Sequence, residues 1–68
     1  MGNRIPRKFN RIKGIILIDT SEDKKGDILH IYKSDYGYLS LNTRTQKHAY
    51  CFLSMLRNPE IFELVDIT

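Results

Sequence analysis

Hydrophobic and polar positions alternate in short blocks along this chain, and the blocks repeat about every ten residues. Ile15 to Ile18 is an aliphatic run too short for a useful helix, and three of its four residues are β-branched. A first strand is predicted over about 11–19. Thr20 to Gly26 is polar and closes on glycine, which reads as a loop. A second strand follows over about 27–33, with Leu29 and Ile31 on one face and Ile28, His30 and Tyr32 on the other. Ser34, Asp35 and Gly37 make the next turn. A third strand over about 38–43 is predicted to turn Leu39 and Leu41 inward and Tyr38 and Ser40 outward. Asn42 to Gln46 is polar and turns the chain into a weaker fourth strand, about 47–52, with Tyr50 and Phe52 on one side.

Phe52, Leu53 and Leu56 are spaced for one helical turn, with Ser54 as its cap. Asn58-Pro59 stops that turn, because a residue before proline avoids the helical region. The same pair could instead open a second turn, with Asn58 as cap and Pro59 in the first helical position. Ile61 to Ile67 reads as the last strand. Five short strands at this spacing predict a mainly-β protein, a small antiparallel barrel with one helical turn before its final strand.

The arrangement resembles a Src-homology-3-like barrel. The residues that carry the likeness are Lys25-Gly26-Asp27-Ile28-Leu29-His30-Ile31, then Lys33-Ser34-Asp35, then Tyr36 to Leu41, with Phe62 to Val65 as the short last strand. The likeness covers about residues 14–67 and is shared by small phage and bacterial proteins of varied roles. It implies that Gly26 permits a tight turn and that Leu29, Ile31 and Leu39 are core. The chain departs from the proline-peptide members of the family. Gly14-Ile15-Ile16-Leu17-Ile18 stands where they carry Ala-Leu-Tyr-Asp-Tyr, and Tyr36-Gly37 aligns with their paired tryptophans. The loop after the first strand is shorter than theirs, and the turn between the last two strands is longer. The resemblance therefore implies a fold rather than a proline-peptide site.

Size narrows the functional classes. A chain of 68 residues buries only about 60% of its unfolded surface, which leaves one modest core and no deep cleft. Cys51 is the single cysteine, so no disulfide supports the fold, and a reducing, cytoplasmic setting is expected. No apolar run approaches the roughly 18 residues of a membrane span, and the early charges are not followed by the apolar region of a signal peptide.

The net charge of +3 hides an asymmetry. Residues 1–18 carry five cations, Arg4, Arg7, Lys8, Arg11 and Lys13, and no acid; residues 19–68 carry six cations and eight acids. Pro6 makes the start irregular. Residues 1–10 are read as a basic, flexible arm pinned by Phe9 and Ile12, and residues 11–68 as one domain.

Candidate chemistry is sparse. His48 and Cys51 have a metal-ligand spacing, but only His30 could add a third ligand, so no metal or other cofactor is expected. Asp19, Glu22, Asp23 and Asp27 are interrupted by lysines and read as a solvated acidic loop. No catalytic constellation is visible, and an enzyme is not expected. Tyr32, Tyr36 and Tyr38 bracket one loop, with Lys33 and Asp35 between them; as neighbours on an outer face they would make a protein-binding hot spot. The first expectation is thus a non-enzymatic interaction module, a small regulator or inhibitor of a larger protein. The alternative is DNA or RNA binding by the basic arm. Strand edges in a small barrel also make a homodimer a candidate.

Overall fold

A computed structural model of the chain describes residues 2–68. Its strands are β1 (Ile12–Ile16), β2 (Ile28–Ser34), β3 (Gly37–Asn42), β4 (Lys47–Cys51) and β5 (Phe62–Ile67), with the helix α1 (Leu53–Arg57) before β5. Every ladder is antiparallel, and the order across the single sheet is β4-β3-β2-β1-β5. The protein is mainly β, with five strands and one short helix. The sheet is not closed. β4 and β5 stand at opposite edges with no ladder between them, where a closed barrel was predicted. The chain leaves β4 directly into α1, which packs against β5 and so occupies the gap.

β1 is shorter than predicted. Its ladder to β2 ends at Ile15 and the strand at Ile16, whose carbonyl accepts from Gly26 N–H at 2.8 Å, while Leu17 N–H turns to the Ile61 carbonyl at 2.7 Å. Gly26 holds φ +95 in this turn, the left-handed region that favours glycine. Thr20 anchors the rest of the loop, its hydroxyl accepting from Asp23 N–H at 2.9 Å. Asp19 accepts from Lys25 N–H at 2.9 Å.

The core is Ile12, Ile16, Leu29, Ile31, Cys51, Leu56 and Phe62. Leu29 and Ile31 face inward as expected. β3 does not. Asp35 and Tyr36 form a two-residue turn that sets Ser34 opposite Gly37, so Tyr38 lies opposite Lys33, Ser40 opposite Ile31 and Asn42 opposite Leu29. Opposed residues share a face. Tyr38, Ser40 and Asn42 therefore point to the core side, and Leu39 and Leu41 point outward. A one-residue difference in register reverses every side chain of a strand; for this reason Leu39 is not core.

Gly14 is where β1 crosses the Phe62 ring: a Cβ at this position would overlap that ring. A β-bulge follows, since Lys13 pairs with Asp66 but Gly14 with Leu64, leaving Val65 as the extra residue. In α1, Phe52 is the N-cap and makes no side-chain cap bond; Ser54 lies inside the helix. Asn58 ends the helix and caps the next turn, its Oδ1 accepting from Glu60 N–H at 3.0 Å and its carbonyl from Phe62 N–H at 3.1 Å.

The amino-terminal segment, expected as a flexible arm, lies along the body. Asn3 N–H donates to the Arg57 carbonyl at 2.7 Å, and the Asn3 side-chain amide donates to the carbonyls of Leu56 and Phe62. Ile5 and Phe9 pack against the core. The radius of gyration of 10.8 Å matches the about 11 Å of a compact chain of this length.

Candidate protein-interaction face

Ladder register assigns each outward side chain of the sheet to a row. Tyr32 lies opposite Leu39, and Leu39 opposite Tyr50, so β2, β3 and β4 carry one continuous apolar row. With strands about 4.8 Å apart, that row spans about 10 Å. The adjoining row reads Asp66, Lys13, His30, Leu41, His48. Ile15 and Ile28 pair in the next. Phe52 keeps an extended backbone, φ −84 and ψ 142, so strand alternation carries it to the same face beyond Tyr50.

The exposures separate the roles of these residues. Tyr32, Leu39, Leu41, Ile15 and Ile28 are half-buried, whereas Tyr50 is 70% and Phe52 78% exposed. The segments that pack on the sheet do so from the other side, α1 through Leu56 and the amino-terminal segment through Ile5 and Phe9.

The residues expected to form one tyrosine cluster are divided by this geometry. Tyr32 sits at the β2 end of the apolar row on the outer face. Tyr36, 88% exposed, and Asp35 form the tip of the β2–β3 turn. Tyr38 lies on the opposite face, stacked on Phe9 with ring centroids 5.9 Å apart and planes at 8°. Lys33 is beside it on that face, and its Nζ donates to the Arg7 carbonyl at 3.1 Å. Leu39, Leu41, Tyr50 and Phe52 were absent from the sequence-derived set. The parity of Tyr50 and Phe52 was readable in the fourth strand, but the face of Leu39 depended on a turn length that composition does not fix.

The basic residues are likewise spread. Arg4, Arg7 and Lys8 are exposed, Arg11 is half-buried, and Lys13 lies on the outer face between His30 and Asp66. His30, His48 and Cys51 do not converge. Cys51 lies opposite Tyr38 on the core side, while the two imidazoles sit on the outer face on strands separated by β3.

The acidic loop is occupied by internal bonds. Asp27, buried at 6% exposure, accepts from Arg44 Nε at 2.7 Å and Nη2 at 2.9 Å, from Asn42 Nδ2 at 2.8 Å and from Lys24 N–H at 2.9 Å. The Arg44 guanidinium, then the Lys24 amide and Asn42, hold its carboxyl well below the usual range, and Asp27 raises Arg44 in turn. Asn42 also donates to Asp23 at 2.8 Å. Burial, with a smaller effect of the Asp23 charge, pushes the Cys51 thiol up to about 11, so it is a neutral core group at pH 7. A polar cleft of about 290 Å³ opens beside this network, lined by Ser21, Glu22, Ser40, Thr45 and Lys47 among others.

No family model matches the chain, and no curated protein or solved structure matches it at a significant level.

Proposed function

We propose that this chain is a non-enzymatic protein-interaction module, a small regulator or inhibitor that docks on a larger protein through the outer face of its sheet. One observation carries this reading: the row Tyr32–Leu39–Tyr50, continued by Phe52, lies on the face that α1 and the amino-terminal segment leave uncovered. Aromatic side chains give large contact areas at low entropic cost and dominate binding hot spots. Tyr36 and Asp35 at the turn tip extend the same end of the surface.

The neighbouring row sets the chemistry of the partner. Lys13, His30 and His48 flank the apolar row, with Asp66 at the β5 end of the same row. The occupant is a protein with an apolar patch, bordered by polar groups that hydrogen-bond the two imidazoles. We further read the strand order as that of a Src-homology-3-like barrel opened between β4 and β5, with α1 across the opening. On this reading the docking face is the outside of the barrel.

The test is capture of partners from the native host with wild type, Tyr50→Lys and Phe52→Ser. Both positions are solvent-exposed, and thermal unfolding checks that both variants remain folded. A partner bound by wild type should lose at least about tenfold in affinity with Tyr50→Lys, the scale of one hot-spot residue. Equal binding by wild type and both folded variants rejects the face.

A further inference from the structure

The cations on the other side of the molecule form an arrangement that the docking face does not use. The amino-terminal segment is tied at both ends, Asn3 N–H to the Arg57 carbonyl at 2.7 Å and Asn10 N–H to the Thr68 carbonyl at 2.6 Å. Between these ties, Lys33 Nζ bonds the Arg7 carbonyl, and Phe9 stacks on Tyr38. Two shallow grooves open along the segment. One, of about 380 Å³, is lined by Arg7, Lys8, Phe9, Asn10 and Lys33, with Thr68 at its end; the other, of about 570 Å³, is lined by residues that include Arg4 and Arg57. No aspartate or glutamate side chain lines either groove. Among the described residues the one ion pair is Arg44–Asp27, so none of these cations is neutralised by a bridge.

We propose that these two grooves form a binding site for the phosphate backbone of single-stranded nucleic acid, with Arg4, Arg7, Lys8, Lys33 and Arg57 as its cations. The site is composite. The sequence placed the positive charge in the arm alone, whereas Lys33 and Arg57 from the body complete it, and Lys13 lies elsewhere on the outer face. Its two parts indicate a repeating anion. Arg4 and Arg57 line one groove and Arg7, Lys8 and Lys33 the other, two cationic subsites where a single phosphate needs one. Arginine forks suit phosphate oxygens. Phe9 lines the groove with its ring stacked on Tyr38, which fixes the wall between Lys8 and Lys33. A duplex is not favoured, because the five-residue α1 is too short to read a groove. A membrane surface is not favoured either, since Ile5 and Phe9, the large apolar side chains of this segment, pack into the body.

The experiment is fluorescence anisotropy of the full chain with a labelled single-stranded DNA of about 20 nucleotides, starting near 50 mM salt and titrating upward. Five contacts predict a log–log salt slope of about −3.5. Lys33→Gln and Arg57→Gln should each weaken binding about 3–10-fold and flatten the slope by about 0.7, while Lys47→Gln on the far edge leaves both unchanged. Among the described residues Arg57 makes no side-chain hydrogen bond, so its variant isolates the charge. No binding near 50 mM salt overturns the proposal, as does an equal loss in all three variants. Duplex DNA of the same length, polyglutamate or phosphatidylserine vesicles binding as tightly as the single strand would each overturn the assigned ligand. None of these readouts depends on Tyr50 or Phe52, so the outer-face reading stands or falls separately.

Discussion

Four hydrogen bonds converge on the Asp27 carboxylate, and they make this one residue a pH-dependent support of the fold. Folding lowers its pKa below the ordinary carboxylate value near about 4, so the unfolded chain binds the proton more readily. The stabilisation is complete above about pH 5 and is lost as pH falls through 4 toward the lower folded value. Urea midpoints should therefore drop between pH 6 and pH 3 in wild type and drop less in Asp27→Asn. A variant as acid-sensitive as wild type would show that Asp27 is not the source. This pairing was not legible in the sequence, because Arg44 is 17 positions away and meets Asp27 only once β2 and β3 are in register. Gly14 is a different case. A glycine inside a strand marks close backbone approach, and here it lies against the Phe62 ring. Gly14→Ala should cost about 1–3 kcal/mol in denaturant unfolding, as overpacking does, and an unchanged midpoint would mean that Phe62 can move aside.

At the scale of elements, the ends of α1 are held by residues outside it. Phe52 offers no side-chain cap. The Asn3 amide takes the Leu56 carbonyl at 3.0 Å, and Asn58 organises the turn into β5. Ser54→Ala should therefore change stability by less than about 0.5 kcal/mol, and Asn58→Ala should cost about 1 kcal/mol, the usual worth of a cap. Thermal denaturation of the two variants checks the order, and a larger loss for Ser54→Ala contradicts it. Both roles read for Asn58 from sequence, stop and cap, operate together. The positions of β2, β4 and α1 follow from local pattern, since alternation, polar turns and the Asn58-Pro59 pair are short-range signals. The facing of β3 does not. Tyr38-Leu39-Ser40-Leu41 alternates equally well in either sense, and the turn at Asp35 and Tyr36 selects the one that puts serine and asparagine inside. Ser40 meets that burial by donating to the Ala49 carbonyl at 3.1 Å, and Asn42 by its two carboxylate bonds.

For the whole molecule, the charge asymmetry along the chain becomes a division between surfaces. The apolar row and its histidines lie on the outer face, and Arg4, Arg7 and Lys8 gather with Lys33 and Arg57 along the amino-terminal segment. The sequence placed the cations near one end, but the meeting of arm and body depends on bonds to backbone carbonyls that no residue pattern announces. The two edges of the sheet also differ. β5 carries a bulge, Glu63 and Asp66, features that discourage edge pairing, while β4 offers a straight run with one lysine. The pairing of β1 with β5 has a further consequence for how the protein is made. Ile12 and Ile67 lie almost the whole chain apart, yet they are ladder partners. A nascent chain emerging from the ribosome can form the meander of β1 to β4 early, but it lacks the ring that fills the space over Gly14 until β5 has been synthesised. Long-range closure of this kind slows folding, and it postpones the sealing of the interior until β5 is in place.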